Sequence, residues 1–131
     1  MRYKRLFLAV ILSAACLVQV GAQDYEADFL RVKQAFEERS SVAQADLKTY
    51  LNTYPYTTYA DEVRMMQGVL YVEKQKYKQA DKAFDKVNPR YLSRQGEPMF
   101  YFYKGYSKVQ QKQYKEAIAC MTRLKNKQNP Y

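Results

Sequence analysis

The sequence predicts an all-α protein built from tandem helix pairs. Two observations carry the prediction: apolar residues recur at three- and four-residue intervals rather than alternating, and a spacing of 37 residues superposes three segments on one another. The spacing is anchored on Ala43, Ala80 and Ala117. It also aligns Leu47 with Phe84 and Met121, Tyr50 with Val87 and Leu124, Val32 with Val69 and Tyr106, and Ala35 with Val72 and Val109. In the second and third segments Gly68 falls on Gly105 and Tyr77 on Tyr114.

The N-terminal residues are read separately, because they have the layout of an export leader. Arg2, Lys4 and Arg5 precede an apolar run from Leu6 to Val18, followed by Val20, Gly21 and Ala22 in small-x-small spacing. The expectation is cleavage after Ala22, giving a signal peptide over 1–22 and a mature chain over 23–131. Two other uses compete for the segment. Cys16 follows small residues and could carry a lipid, although an apolar tract rather than a polar tether continues beyond it. An uncleaved anchor would need the uncharged run from Leu6 to Ala22 to span a bilayer, which lies near the lower limit of about 17 residues.

Unit one is expected over about 24–55. Its first helix runs from Tyr25 to Glu38 with Phe29, Val32, Ala35 and Phe36 inward, and its second from Val42 to Asn52. Ser41 and Gln44 have the spacing of a capping box for that second helix. Tyr54 and Pro55 close the unit, since a residue before proline is driven from the helical region. Unit two, about 58–89, opens with Thr58 and Asp61 in cap spacing. Its first helix carries Val63, Met66, Leu70 and Tyr71 as far as Lys74, and its second runs from Lys78 to Val87, stopping at Asn88-Pro89. A polar linker leads to unit three, about 97–130, with helices at 98–110 and 114–125. Pro98 there is tolerated in a first turn. Gly68, Gly105, Ala80 and Ala117 are expected at the close approaches between paired helices.

Composition excludes several chemistries. The 131 residues include no histidine and two cysteines, of which Cys120 alone lies beyond the leader, on an apolar stripe with Ala117, Met121 and Leu124. No intrachain disulfide is then possible in the mature chain, and zinc, haem and thiol–imidazole sites lack ligands. No cofactor is expected. Acid pairs exist at Glu37-Glu38, Asp61-Glu62 and Asp81/Asp85, but nothing in the pattern sets two carboxylates across a cleft. There is no glycine-rich phosphate loop, and no catalytic residue is assigned.

Net charge is +9, falling to +6 once the three basic residues of the leader are removed. Basic and acidic residues are mixed along the helices, which suits a solvated surface and leaves an anionic glycan or lipid headgroup as an alternative partner. The 14 tyrosines and no tryptophan, with Tyr101-Phe-Tyr-Lys-Gly-Tyr-Ser-Lys108 as the densest stretch, could stack nucleic-acid bases. Packing within the repeats accounts for the same residues, and no nucleic-acid partner is expected of an exported chain.

These residues resemble the tetratricopeptide-repeat family. Unit two matches best, through Gly68, Tyr71, Tyr77, Ala80 and Phe84 in the family's order, with Pro89 earlier than the usual closing proline. Unit three keeps Gly105, Tyr114 and Ala117 but has Lys108 and Met121 at the positions of the tyrosine and the aromatic. Unit one keeps Ala43, Leu47 and Pro55, with Arg31 at the glycine position. A narrower likeness is to exported bacterial repeat proteins, including outer-membrane-assembly lipoproteins.

The resemblance implies a short right-handed α-solenoid, periplasmic or outer-membrane associated, that binds a protein or peptide non-catalytically. It also implies a concave groove lined by the first helices, which carries over to Tyr25, Asp28, Val32, Met65, Val69, Phe102 and Tyr106. Finally, Ile118, Met121 and Leu124 form an apolar stripe with no polar helix after it in this sequence. Terminal repeats need a polar outer face, so self-association, a partner subunit or further repeats are expected there.

Overall fold

A computed structural model describes residues 24–126, and the leader and its alternatives at Cys16 lie outside them. The described residues form six α-helices and one 3-10 turn, without strands. The helices are α1 (Asp24–Glu37), α2 (Ala43–Thr53), α3 (Ala60–Glu73), α4 (Tyr77–Phe84), α5 (Gly96–Gln110) and α6 (Tyr114–Lys125), with the 3-10 turn at Pro89–Tyr91. Each helix packs on the next in sequence, and α3 also touches α1 and α5. The all-α class and the helix boundaries agree with the sequence reading to within a turn. The largest difference is at α4, which ends at Phe84 rather than Val87; Val87 stays buried in the turn that follows.

The central position of α3 explains its composition. Neighbours on several sides bury Ala60, Val63, Met65, Met66, Gly68, Val69, Leu70 and Val72, so the apolar residues spread well beyond one stripe. Around them the core gathers Phe29, Val32, Phe36, Leu47, Tyr50, Ala80, Phe84 and Phe100. Two aromatic contacts tie the pairs together. Phe29 stacks on Tyr59 with centroids 4.1 Å apart, and Phe84 meets Phe100 edge-on at 5.7 Å. Gly68 lies under the Phe84 ring, where an added Cβ would sit 2.3 Å from Cε1. At the same register Gly105 lies under Met121, 2.7 Å from its terminal methyl.

The turn within each helix pair is built the same way three times. Arg39, Gln75 and Lys112 have φ of 50°, 59° and 61°, the left-handed region. At each, the N–H of the left-handed residue donates three residues back, to the carbonyls of Phe36, Val72 and Val109. The next N–H donates five back, from Ser40 to Ala35, Lys76 to Tyr71 and Gln113 to Lys108. This is the Schellman closure, which satisfies carbonyls that a helix end leaves free. Glycine is its usual occupant, and its absence from all three positions hid the motif in the sequence.

The expected side-chain caps are absent. Val42 and Tyr59 occupy the N-cap positions of α2 and α3 in helical conformation and make no capping bond. Backbone turns serve instead, with Ala43 N donating to Ser40 O at 3.0 Å and Ala60 N to Thr57 O at 3.1 Å. A residue already in helical geometry cannot swing its side chain over the first turn. Ser41 and Thr58 are therefore displaced from capping, and the side-chain nitrogen and oxygen of Gln44 are buried without any partner.

Candidate interaction surfaces

The residues carried over from the family groove separate into two groups. Val32, Met65 and Val69 are fully buried, so they belong to the core and cannot line an open face. The reason is that α3 packs on α1, α2, α4 and α5, and these side chains belong to the core cluster between the helices. Tyr25, Phe102 and Tyr106 remain exposed, but they are not one patch: Tyr25 packs against Tyr54 and Tyr59 at the start of the fold, whereas Phe102 and Tyr106 lie on α5. Asp28 accepts a hydrogen bond from the Tyr54 hydroxyl at 3.1 Å and lies 3.5 Å from Arg31. Burial, and after it the Asp28 carboxylate, hold the Tyr54 phenol above its ordinary pKa.

Of the residues expected to pack the repeats, Ala43, Gly68, Ala80, Phe84, Gly105 and Ala117 are buried, while Tyr71, Tyr77 and Met121 are half-buried. Tyr114 differs, being 57% exposed. Its register mate Tyr77 is followed by another helix, with Tyr106 of α5 close enough to act on its phenol; burial comes first in raising that pKa. Tyr114 stands on the last described helix and has no such cover.

Three members of the acid pairs, Asp61, Glu62 and Asp81, bond to other parts of the fold. Asp61 lies 3.4 Å from Arg64 and accepts the N–H of Asn88. Glu62 is buried and turns the other way, accepting from both the N–H and the hydroxyl of Ser93, at 2.9 and 2.7 Å. Ser93 Oγ in turn accepts the N–H of Gly96, so one carboxylate anchors the linker and the start of α5. Asp81 joins α4 to α5, accepting from Ser107 Oγ, Lys108 Nζ and Gln111 Nε2 at 3.1, 2.9 and 2.9 Å. Glu73 receives three hydrogen bonds from Arg39, two from Nε and one from NH2, and a longer one from the Tyr103 hydroxyl. The Glu73 hydrogen bond raises the Arg39 pKa, and burial followed by the same carboxylate raises that of Tyr103. Apart from Asp61–Arg64, three residues apart, sequence spacing could not show these contacts, since their partners lie 26 to 34 residues apart.

Cys120 is buried beside Gly105, and desolvation is the foremost cause pushing its thiol pKa above the ordinary value. That environment suppresses the thiolate needed for reaction. Among the described residues no group of three potential metal ligands is gathered, and no helix is long and apolar enough to cross a membrane.

Of the open concavities that remain, two lie against the helix faces. The first is the outer side of α6, a shallow depression of about 360 Å³ lined by Val109, Tyr114, Ala117, Ile118, Met121 and the edge of Lys125. Ile118 is 66% exposed and Val109 41%. The second is a trough over α3, flanked by α2 and α4. No family model, no curated protein and no solved structure matches the chain.

Proposed function

We propose that this chain is a non-catalytic interaction scaffold of the tetratricopeptide type. In this reading its helix pairs stack as a short right-handed solenoid that works in a bacterial cell envelope after export. The 37-residue register and the threefold recurrence of one turn support the repeat; the basic and apolar layout of residues 1–22 supports export. Binding takes place by stacking a further helical element on α6, in the way α3 covers α2 and α5 covers α4.

One observation carries this reading. At equivalent register positions, Val72 is buried and Asp81 is engaged by α5, whereas Val109 and Ile118 stand open. At the position shared by Gln44, Asp81 and Ile118, the two inner residues are polar, with the Gln44 amide atoms buried and Asp81 bonded to α5; the outer one is apolar and exposed. An exposed cluster of this kind marks an interaction site. The remaining groove residues, Phe102 and Tyr106, contribute a secondary apolar edge on α5.

Light scattering on residues 23–131 tests it. With no partner present, the face is expected to drive concentration-dependent self-association, and Ile118→Lys is expected to abolish this without moving the unfolding midpoint. A chain that stays monomeric at every concentration, with Ile118→Lys behaving identically, contradicts the reading.

A further inference from the structure

The trough over α3 has a volume of about 520 Å³, with Lys48 from α2, Arg64 and Gln67 from α3, and Gln79, Lys82 and Lys86 from α4 and the turn after it. Four cations line it and no carboxylate does. Of the nearby acids, Asp46 pairs with Arg31 and Asp81 with Lys108, while Asp61 pairs with Arg64 of the lining itself and leaves the three lysines as the unpaired cations. Asp85, next to Lys86 in the chain, is exposed and makes no ion pair among the described residues. Lys48, Lys82 and Lys86 likewise have no hydrogen bond or ion pair there. Three free ammonium groups around one concavity repel each other, and a concave wall concentrates their field on whatever enters.

Arg64 is held differently, donating to the Pro55 carbonyl at 2.9 Å. With Lys86 it forms the wall shared with a second concavity of about 690 Å³, where Asp61 stays paired to Arg64 and Pro55, Ala60 and two exposed rings, Tyr56 and Tyr91, provide the apolar part of the lining. Tyr56 is 96% exposed, with no structural contact that would explain an aromatic residue at that position. A cationic trough therefore runs directly into an apolar pocket.

We infer that this continuous surface binds an extended acidic polypeptide segment carrying a large apolar side chain. The carboxylates lie among Lys48, Lys82 and Lys86, the peptide amides meet the Gln67 and Gln79 side chains, and the apolar residue fills the pocket between Pro55 and the two tyrosines. A plain polyanion, such as a sulfated glycan or a nucleic acid, satisfies the lysines but has no group for that pocket. A single small anion leaves most of the combined volume empty. This surface is separate from the outer side of α6, so the two readings can fail independently.

The test is fluorescence anisotropy with protein from expression of the full chain. The probe is a labelled nine-residue peptide of aspartate and glutamate around one central phenylalanine. Binding is expected to weaken about tenfold in Lys82→Gln/Lys86→Gln, since exposed charge contacts are individually modest, and to weaken further as salt rises from about 0.1 to about 0.5 M. Replacing the peptide's phenylalanine with serine, or Tyr56→Ser in the protein, is expected to cost about fivefold, while Ile118→Lys leaves binding unchanged. Unfolding midpoints of the double lysine variant, Tyr56→Ser and Ile118→Lys should match the parent. Unchanged binding in the double lysine variant overturns the assignment. A sulfated oligosaccharide that competes as strongly as the peptide, with no effect of the phenylalanine, also overturns it in favour of a general polyanion surface.

Discussion

Gly68→Ala isolates the closest approach in the fold. The added methyl carbon would lie 2.3, 2.6 and 2.7 Å from Cε1, Cδ1 and Cζ of Phe84. Carbon atoms in contact prefer about 3.5–4.0 Å, so the ring or the helix must move by more than about 1 Å. Phe84 has nowhere to go, being fully buried and set edge-on to Phe100. Overpacking of this kind costs roughly 1–3 kcal/mol, whereas alanine recovers about 1 kcal/mol of helix propensity over glycine. With three ring atoms in conflict the upper part of that range applies, leaving a net loss of about 1–2 kcal/mol.

Urea unfolding followed by circular dichroism reads the change, and a thermal melt should fall by about 4–8 °C for each kcal/mol. Gly105→Ala is the internal comparison. Its added carbon meets the terminal methyl of half-buried Met121, a flexible group that can turn aside, and Cys120 Cβ at 3.1 Å, which needs a shift of only a few tenths of an ångström, so the variant should lose less than Gly68→Ala and stay within about 1 kcal/mol of the parent. Combining Gly68→Ala with Phe84→Leu should cost less than the two changes separately. A Gly68→Ala chain as stable as the parent would show that the ring is not fixed and would refute the reasoning.

Three further outcomes follow from particular residues. Gln44→Met should raise stability by about 1 kcal/mol, because the amide it removes is buried without a partner; a loss of stability would mean the amide is satisfied in solution. Gln75→Gly and Lys112→Gly should each gain about 0.5–1 kcal/mol by relieving a left-handed residue, while Arg39→Gly should gain less than either because it also removes the three hydrogen bonds to Glu73 and the contacts with Phe36. With no histidine in the chain, stability should be level from about pH 6 to 8. It should fall as pH rises beyond 10.0, the ordinary tyrosine value, because burial raises the folded-state pKa of Tyr50 and Tyr103. The sign follows from proton binding: above that pH the unfolded chain has released protons that the folded chain still holds, so alkali favours unfolding. Denaturation midpoints across pH 6–11 check both statements.

Much of the fold was legible because it rests on local periodicity. The helices over 24–126 follow from apolar spacing, and Gly68, Ala80 and Phe84 announce their contact by falling on the register. What the sequence concealed was non-local or chemically unusual. Left-handed turns at Arg39, Gln75 and Lys112 carry no glycine to mark them. Ser41 and Gln44 have the spacing of a cap, but spacing does not reveal that Val42 already has helical geometry. Glu62 and Asp81 looked like ordinary helix-surface acids until their partners in the linker and α5 were in place.

The candidate surfaces were legible only in part. Val32, Met65 and Val69 were drawn from family analogy, and the same apolar character that suggested a groove buries them. The open stripe on α6 could be read directly, since Ile118 and Met121 share a helix face. The lysine trough could not be anticipated, because Lys48, Arg64 and Lys86 converge only when α2, α3 and α4 pack together.

The stacking of a further helix on α6 is tested most directly by supplying one. An amphipathic helix patterned on α3 and joined after Tyr131 by a flexible linker should raise the unfolding midpoint and slow amide exchange throughout α6. Ile118→Lys should abolish both gains while leaving the unextended chain as stable as before. If the appended helix leaves α6 exchange unchanged, or if Ile118→Lys unfolds the parent chain, the outer side of α6 is not a docking face and the account is contradicted.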